Sequence, residues 1–384
     1  MAHLRIPRNL LRGTASFLSG WPARSHVELR AELMLEAYRR RRDDYHRAAE
    51  ERGLRYDETA LLSRTSARMR EMNLSPRPRS NDAPIHTLAF VPMLGWHRQL
   101  LAPLAELGPL SHFDYEAHGL RYSDLAARAP GAIERRAAAA TEFENFARRA
   151  ARERPVDWVY AYATGYEIPA ATLARVREIT GAPVVGMCLD DKQSWEGPEY
   201  GGQRTGQIDI AAEMDLAWTS ARVACEWYLV EGGNPMFLAE GCSPSLFCPG
   251  SAPQDIDVSF VGQGYGFRPA FVASLRRHGV QVRTFGYGWP EGGLPEDEMV
   301  EVMQRSKVIL GLGGIGWSQH LKNVKGRDFD APCMGAYLTS YNPDLADWFR
   351  IGEEIACYSS ADEAVDLVRR LLGDDARRRA LASS

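Results

Sequence analysis

Between residues 26 and 52 the apolar positions of HVELRAELMLEAYRRRRDDYHRAAEER recur at three- and four-residue intervals among strong helix formers. This spacing predicts one long amphipathic helix. Ser25 and Glu28 stand at capping-box spacing at its start, and Gly53 is a natural residue just past its end. The arginines at 39–42 are followed by Asp43 and Asp44. That charged run reads as a solvated helix face, with a phosphate-binding patch as the other reading. Leucines and arginines alternate loosely over residues 4–18, a pattern open to a helix lying on a membrane surface. NLSPRPRSNDAP, residues 73–84, is rich in proline and polar residues and predicts a linker. Residues 1–79 are therefore expected to form a helical extension and linker.

After it the period changes. Short β-like runs (HTLAFVPM, LSHFDYE, DWVYAYA, APVVGMCLD, LAWTS, PMFLAEG) alternate with helical stretches such as AIERRAAAATEFENFARRAARER and PAATLARVREITG. Strand and helix alternating in this way predict a parallel sheet covered by helices. The rhythm restarts at DVSFVG and runs through VQVRTFGYG, KVILGLGG and GAYLTS, with a boundary near CPGSAPQD, residues 248–255. Two Rossmann-like α/β domains are expected, 80–250 and 251–384. Ligands of such sheets bind at the carboxyl ends of the strands, so the cleft between the halves is the place to look.

Composition changes this picture little. The chain has 384 residues, 45% hydrophobic and 25% charged, which fits a packed globular protein long enough for two domains. A net charge of −4 gives no general reason to bind nucleic acid. The six cysteines are scattered without a CxxC pair, which argues against structural zinc and favours free thiols in a reducing compartment. LLRGTASFLSGW is broken by Arg12, and no run approaches the roughly 18 apolar residues of a membrane span. A cytoplasmic location is expected.

Two glycine-rich loops carry candidate chemistry. VILGLGGIGW contains Gly311, Gly313, Gly314 and Gly316 in a literal GxGxxG after a strand. A dinucleotide fingerprint also needs an immediate helix and an acidic residue after a second strand, and no second strand precedes Asp328 and Asp330. A dinucleotide-dependent oxidoreductase is therefore the alternative reading, although these glycines also permit close approach to a phosphate. In FVGQGYGFRPAFVASLRRHG a strand ends in Gly262, Gly264 and Gly266, and Arg268 precedes Pro269 at the start of a helix. That arrangement suits a phosphate, and its plainer reading is a tight turn with a solvent-facing arginine.

From VSFVGQGYGFRPAFVASLRRHGVQVRTFGYGW to KGRDFDAPCMGAYLTSYNPDLADWFRIGEEIACYSSADEAVDLVRRLL, over roughly residues 184–372, the chain resembles the spore-maturation (CgeB-like) glycosyltransferases of the GT-B superfamily. Arg327, Phe329, Asp330, Ala331, Gly335, Phe349, Gly352, Glu354 and Ile355 occupy the places of the family pattern R-x-F-E-A-x-x-x-G and F-x-x-G-x-E-I. Asp330 stands where the family usually has glutamate. The resemblance implies a GT-B fold and a nucleotide-sugar donor held by this lobe. It implies that Asp330 accepts from the ribose hydroxyls and that Arg327 faces the diphosphate, with Arg268, Lys325 and the Gly313–Gly316 loop as further donor contacts. A fixed guanidinium with loop amides stabilises a diphosphate leaving group without a metal. The other reading makes Arg327 and Asp330 a structural ion pair.

On the acceptor side, FVPMLGWHRQLLAPLAELG places His97 just past the first strand, and the segment is similar to the P-x-x-G-H-x-x-P segment of natural-product glycosyltransferases, whose histidine deprotonates the acceptor. An imidazole titrates close to operating pH and suits a general base, with a polar cap as the other reading. Asp190 and Asp191 end the strand VVGMCLD, as a base, a metal contact or a loop cap. Trp96, Tyr162, Tyr166 and Trp195 offer aromatic faces near the cleft. The reading is a metal-independent glycosyltransferase that needs no cofactor beyond its donor co-substrate and acts on a small-molecule, glycan or peptide acceptor. A non-catalytic nucleotide-sugar-binding scaffold remains a further alternative. Residues 26–52 are a candidate homo-oligomer interface.

Overall fold

The computed structural model describes residues 25–74, 80, 82–92, 97–120, 131–197, 199 and 205–383, with the side chains of His97 and Arg98 excluded. The suggested helix at 4–18, Trp96 and half of the 73–84 linker lie outside the described residues. The chain opens with α1 (His26–Glu51) and α2 (Leu61–Glu71). Ser25 Oγ accepts from the Glu28 amide at 3.2 Å while Glu28 accepts from the Ser25 amide at 2.8 Å, so the capping box is complete. Among the described residues no helix is long and apolar enough to cross a membrane.

The first lobe contains β1 (Thr87–Phe90), α3 (His97–Glu106), β2 (Leu110–Phe113), α4 (Ala132–Glu153), β3 (Trp158–Ala161), α5 (Ala170–Thr180), β4 (Val184–Cys188), α6 (Asp191–Ser194), β5 (Leu216–Thr219), α7 (Ala224–Val230) and β6 (Pro235–Phe237). Its strands are all parallel, in the order β2-β1-β3-β4-β5-β6. The near-continuous apolar strands fit a sheet buried on both faces, and Leu88, Phe90, Val159 and Val184 pack against Phe143 and Ala147 of α4 and Leu173 and Val176 of α5.

The second lobe contains β7 (Ile256–Val261), α8 (Arg268–Arg277), β8 (Val282–Phe285), α9 (Glu296–Gln304), β9 (Ser306–Leu310), β10 (Gly314–Ile315), β11 (Ser318–Lys322), α10 (Arg327–Asp330), β12 (Ala336–Ser340), β13 (Ala356–Tyr358), α11 (Ala361–Gly373) and α12 (Asp375–Ser383). Its parallel sheet runs β13-β12-β9-β7-β8. Counted within each lobe, both sheets share the order 2-1-3-4-5. The strand order reverses between β1 and β3 in one lobe and between β7 and β9 in the other, which is where doubly wound folds open a ligand crevice. Two such domains facing a cleft, preceded by helices, form the GT-B architecture.

The aromatic part of α1 is used within the chain. Tyr45 donates to Glu231 at 2.6 Å and accepts from Trp195 Nε1 at 3.0 Å. Trp195 is fully buried among Tyr45, Trp227 and Tyr228, so it is a core residue beneath α1 and offers no face to the cleft. Further toward its start α1 reaches the second lobe, where His26 and Arg30 contact the Trp317 ring. α2 is fastened to the edge of the first sheet by Arg64, which bonds Asn234, and by Arg68, which bonds the Gly232 carbonyl and pairs with Asp215. Within the charged run at 39–42, Arg40 pairs with Glu36, Arg41 holds the Lys192 carbonyl and Glu196, and Arg42 holds Asp43.

Candidate functional site

The GLGGIG sequence does not form a dinucleotide loop. It leads from β9 into an antiparallel hairpin, with Gly314 facing Lys322 and Ile315 facing Ser318, and no helix follows. The Gly313 amide is spent on Ser340 Oγ at 3.0 Å, and the Gly314 carbonyl accepts from Arg268. The Gly313 amide is therefore not open for a phosphate, the role expected of it. The hairpin and the turn after it dock on the first lobe. Asn323 donates to the Leu189 carbonyl at 2.8 Å and to Ser220 at 2.9 Å, and Lys192 donates to the Lys322 carbonyl at 2.6 Å.

The turn after β7 also differs from expectation. The amides of Gly262 and Gly264 continue the sheet, donating to the carbonyls of Phe285 and Tyr287 at 2.7 and 2.8 Å, and are not free for a phosphate. Glycine is needed here for space and conformation. A Cβ on Gly264 would sit 2.7 Å from the Trp289 ring, and Gly266 has φ +62. Arg268 is buried rather than solvent-facing. It donates to the Gln263 carbonyl at 2.9 Å and lies over the Tyr265 ring. Burial, with Arg327 nearby, lowers its pKa.

Arg327 meets this turn from the other side. Its guanidinium lies 3.1 Å from the position a Gly262 Cβ would take, and 5.5 Å from the Phe260 ring centre, against 5.8 Å for Arg268. Two guanidinium groups thus share one aromatic ring. Among the described residues neither forms an ion pair. Arg327 and Asp330 are near each other without being the structural pair that the sequence also allowed. Asp330 is 7% exposed, its Oδ1 has no hydrogen-bond partner, and burial raises its carboxyl to about 7. Asp328, two residues earlier, is the structural acid of this turn: it accepts from Tyr337 at 2.6 Å and from the Lys325 amide at 2.8 Å. The Lys325 backbone is thereby fixed at the start of this turn.

Across the cleft a cavity of about 330 Å³ is lined by Tyr115, Tyr162, Met187, Leu189 and Asp190 of the first lobe and by Gln263 of the second. Asp190 and Asp191 part company here. Asp190 faces the cavity, whereas Asp191 is fully buried and accepts from Thr219 and, at 2.8 Å, from Tyr228. Burial raises Asp191 to about 7. It is an anchor for the start of α6, not a group that reaches substrate. Tyr166 is likewise buried, while Tyr162 lines the cavity. His97 is the first residue of α3, and its side chain lies outside the described residues.

One cleft residue carried no sequence motif. Glu240 follows β6 on the strand of chain leading to the second lobe, and its Oε2 lies 2.7 Å from where a Gly326 Cβ would be. No spacing rule marks it, because its partners come from two other segments.

Residues 268–384 match the family described as "Glycosyl transferase-like". No curated protein sequence matches the chain. Among solved structures it is similar to a putative UDP-N-acetylglucosamine 2-epimerase from Listeria monocytogenes, at 10% identity and TM-score 0.45, covering 78% of this chain and 91% of that one. It is also similar to an alpha,alpha-trehalose-phosphate synthase (UDP-forming) from Burkholderia vietnamiensis, at 11% identity and TM-score 0.48, covering 78% and 93%, and to Acinetobacter baumannii MurG, at 10% identity and TM-score 0.37, covering 78% and 94%. The chain thus carries a glycosyl transferase-like domain at residues 268–384 within a fold of the GT-B type.

Proposed function

We propose that the protein is a CgeB-like glycosyltransferase that moves a sugar from a nucleoside-diphosphate donor to an acceptor bound against the first lobe. The observation that carries this reading is the pair of guanidinium groups, Arg268 and Arg327, at the cleft edge of the second lobe, neither in an ion pair among the described residues. Two adjacent cations in a partly dry site repel each other, and an anion with several oxygens relieves that repulsion. Arg327 is the group that meets the diphosphate, and Arg268 shapes the turn beneath it. Asp330, whose unpartnered oxygen supports the role, bonds the ribose hydroxyls. As charge builds on the leaving diphosphate, fixed guanidinium groups stabilise it without a metal. On the facing lobe His97 takes the acceptor proton, and Asp190 and Tyr162 shape the acceptor cavity of about 330 Å³.

The test is thermal stabilisation by UDP, GDP, dTDP and CDP, with NAD(H) alongside, for wild type and Arg327→Ala. A ligand at 100 times its dissociation constant adds about 2.7 kcal/mol of stability. One nucleoside diphosphate is expected to stabilise wild type but not the variant. Stabilisation by NAD(H) alone would overturn the reading.

A further inference from the structure

Glu240 lies three residues beyond β6 and well before β7, on the chain that crosses between the two sheets. Its carboxylate lies against the backbone of Gly326. Gly326 immediately precedes Arg327, and the Glu240 carboxylate fills the space where any larger residue would put its Cβ: Oε2 is 2.7 Å from that point and Asp330 Oδ2 is 3.8 Å from it. Two carboxylates from distant parts of the chain therefore flank the residue that carries the guanidinium into the cleft.

Resting on the donor-site reading, we infer that Glu240 is a positioning residue for the donor diphosphate, which holds the Lys325–Arg327 turn through Gly326 and carries a proton in the donor-bound state. The groups facing it are Asp190 from the end of β4, Asp330 from α10, Lys325, and Tyr160 and Tyr162 from the first sheet. Burial holds both tyrosines neutral. Three carboxylates around one ammonium make a poor seat for an incoming diphosphate if all are ionised, because like charges at short range in a partly dry site cost heavily. A proton on Glu240 removes that repulsion and leaves the carboxyl group against Gly326. Burial, reinforced by Asp190, already raises this carboxyl to about 8, so the proton is in place at neutral pH. The unpartnered Asp330 Oδ1, in a residue 7% exposed, is the second sign that this cluster awaits a ligand. Among the described residues no group of acidic, histidine or cysteine side chains is disposed to hold a metal ion there.

The inference is tested by titrating UDP, GDP, dTDP and CDP calorimetrically at pH 7.5 and 9.0 into wild type, Glu240→Gln and Glu240→Ala. The β-phosphate is almost fully ionised across that window, and because the ring N–H of uracil, thymine and guanine begins to ionise at its upper end, the comparison with Glu240→Gln isolates the protein's own dependence. Wild-type affinity is expected to fall roughly eightfold between the two pH values, as a group titrating near 8 loses its proton. Glu240→Gln, neutral throughout and similar in size against Gly326, is expected to bind with an affinity that changes less than about twofold between the same two pH values. Glu240→Ala is expected to bind weakly at both. Equal pH dependence in wild type and Glu240→Gln overturns the role of Glu240 while leaving the donor site standing. If none of the four nucleotides binds wild type, the donor reading falls and this inference falls with it.

Discussion

The two lobes share one strand order and present opposite chemistry to the cleft between them. At its reversal point and neighbouring strand ends, the first sheet offers Tyr162, Met187, Leu189 and Asp190 around a cavity. The second offers a tight glycine turn and two arginines stacked on Phe260. The same backbone path thus serves an apolar, aromatic and acidic wall in one case and a cationic edge in the other. Topology sets where a ligand sits, and the few residues after each strand set which ligand it is.

If this division of labour holds, damage on the two sides of the cleft separates into different kinetic signatures. The largest effect is expected for His97→Ala, which should lower the transfer rate by about 10²- to 10⁴-fold, the usual worth of a general base, with donor affinity unchanged. A parallel loss of donor affinity would break the comparison. Arg327→Ala should do the reverse, weakening nucleoside diphosphate binding by about 2–3 kcal/mol, or roughly 30- to 150-fold, with a melting temperature close to wild type.

Asp191→Asn sharpens the contrast within one lobe. The folded protein holds a proton on this carboxyl up to about pH 7, whereas an unfolded chain releases it near pH 4. A raised acid contributes stability in full below its unfolded pKa, and that contribution declines as pH rises toward the folded pKa. The variant lacks this decline, so its melting temperature relative to wild type should climb between pH 4 and 7 and level off above that. Superimposable slopes in thermal melts would show that Asp191 is ionised in the fold. The smallest effect is expected for Asn323→Ala, which removes two bonds between the lobes. It should cost about 1–2 kcal/mol in urea denaturation and leave nucleotide affinity intact.

Much of this was legible in the chain. The helical period, the capping box at Ser25 and the strand-helix rhythm foretold α1 and both sheets, because each depends on neighbours within a few residues. Arg327 and Asp330 were singled out through a motif, and the structure sets both in the turn that faces Gly262 and Glu240. The glycine loops were misread for a physical reason: a glycine in sequence marks freedom of the backbone, but not where its amide is spent. Gly262 and Gly264 spend theirs on β8, and Gly313 on Ser340. Asp190 and Asp191 looked alike because adjacent residues differ only in direction, one into the cavity and the other beneath α6. Glu240 was invisible because its meaning comes from Gly326 and Asp330, which are distant in sequence.

The helix α1 touches both lobes through residues far along the chain. Tyr45 bonds Trp195 across 150 positions, and Arg30 reaches Trp317 in the last third of the sequence. Contacts so distant must wait for the intervening sheets to exist, and chains rich in them fold slowly. Until then the Tyr38 and Tyr45 face of α1, and the Trp195–Trp227 surface that it covers, stay open to solvent and to other chains. A helix seated by such distant contacts leaves its apolar face uncovered until both sheets have formed, and that uncovered face is where chains can associate.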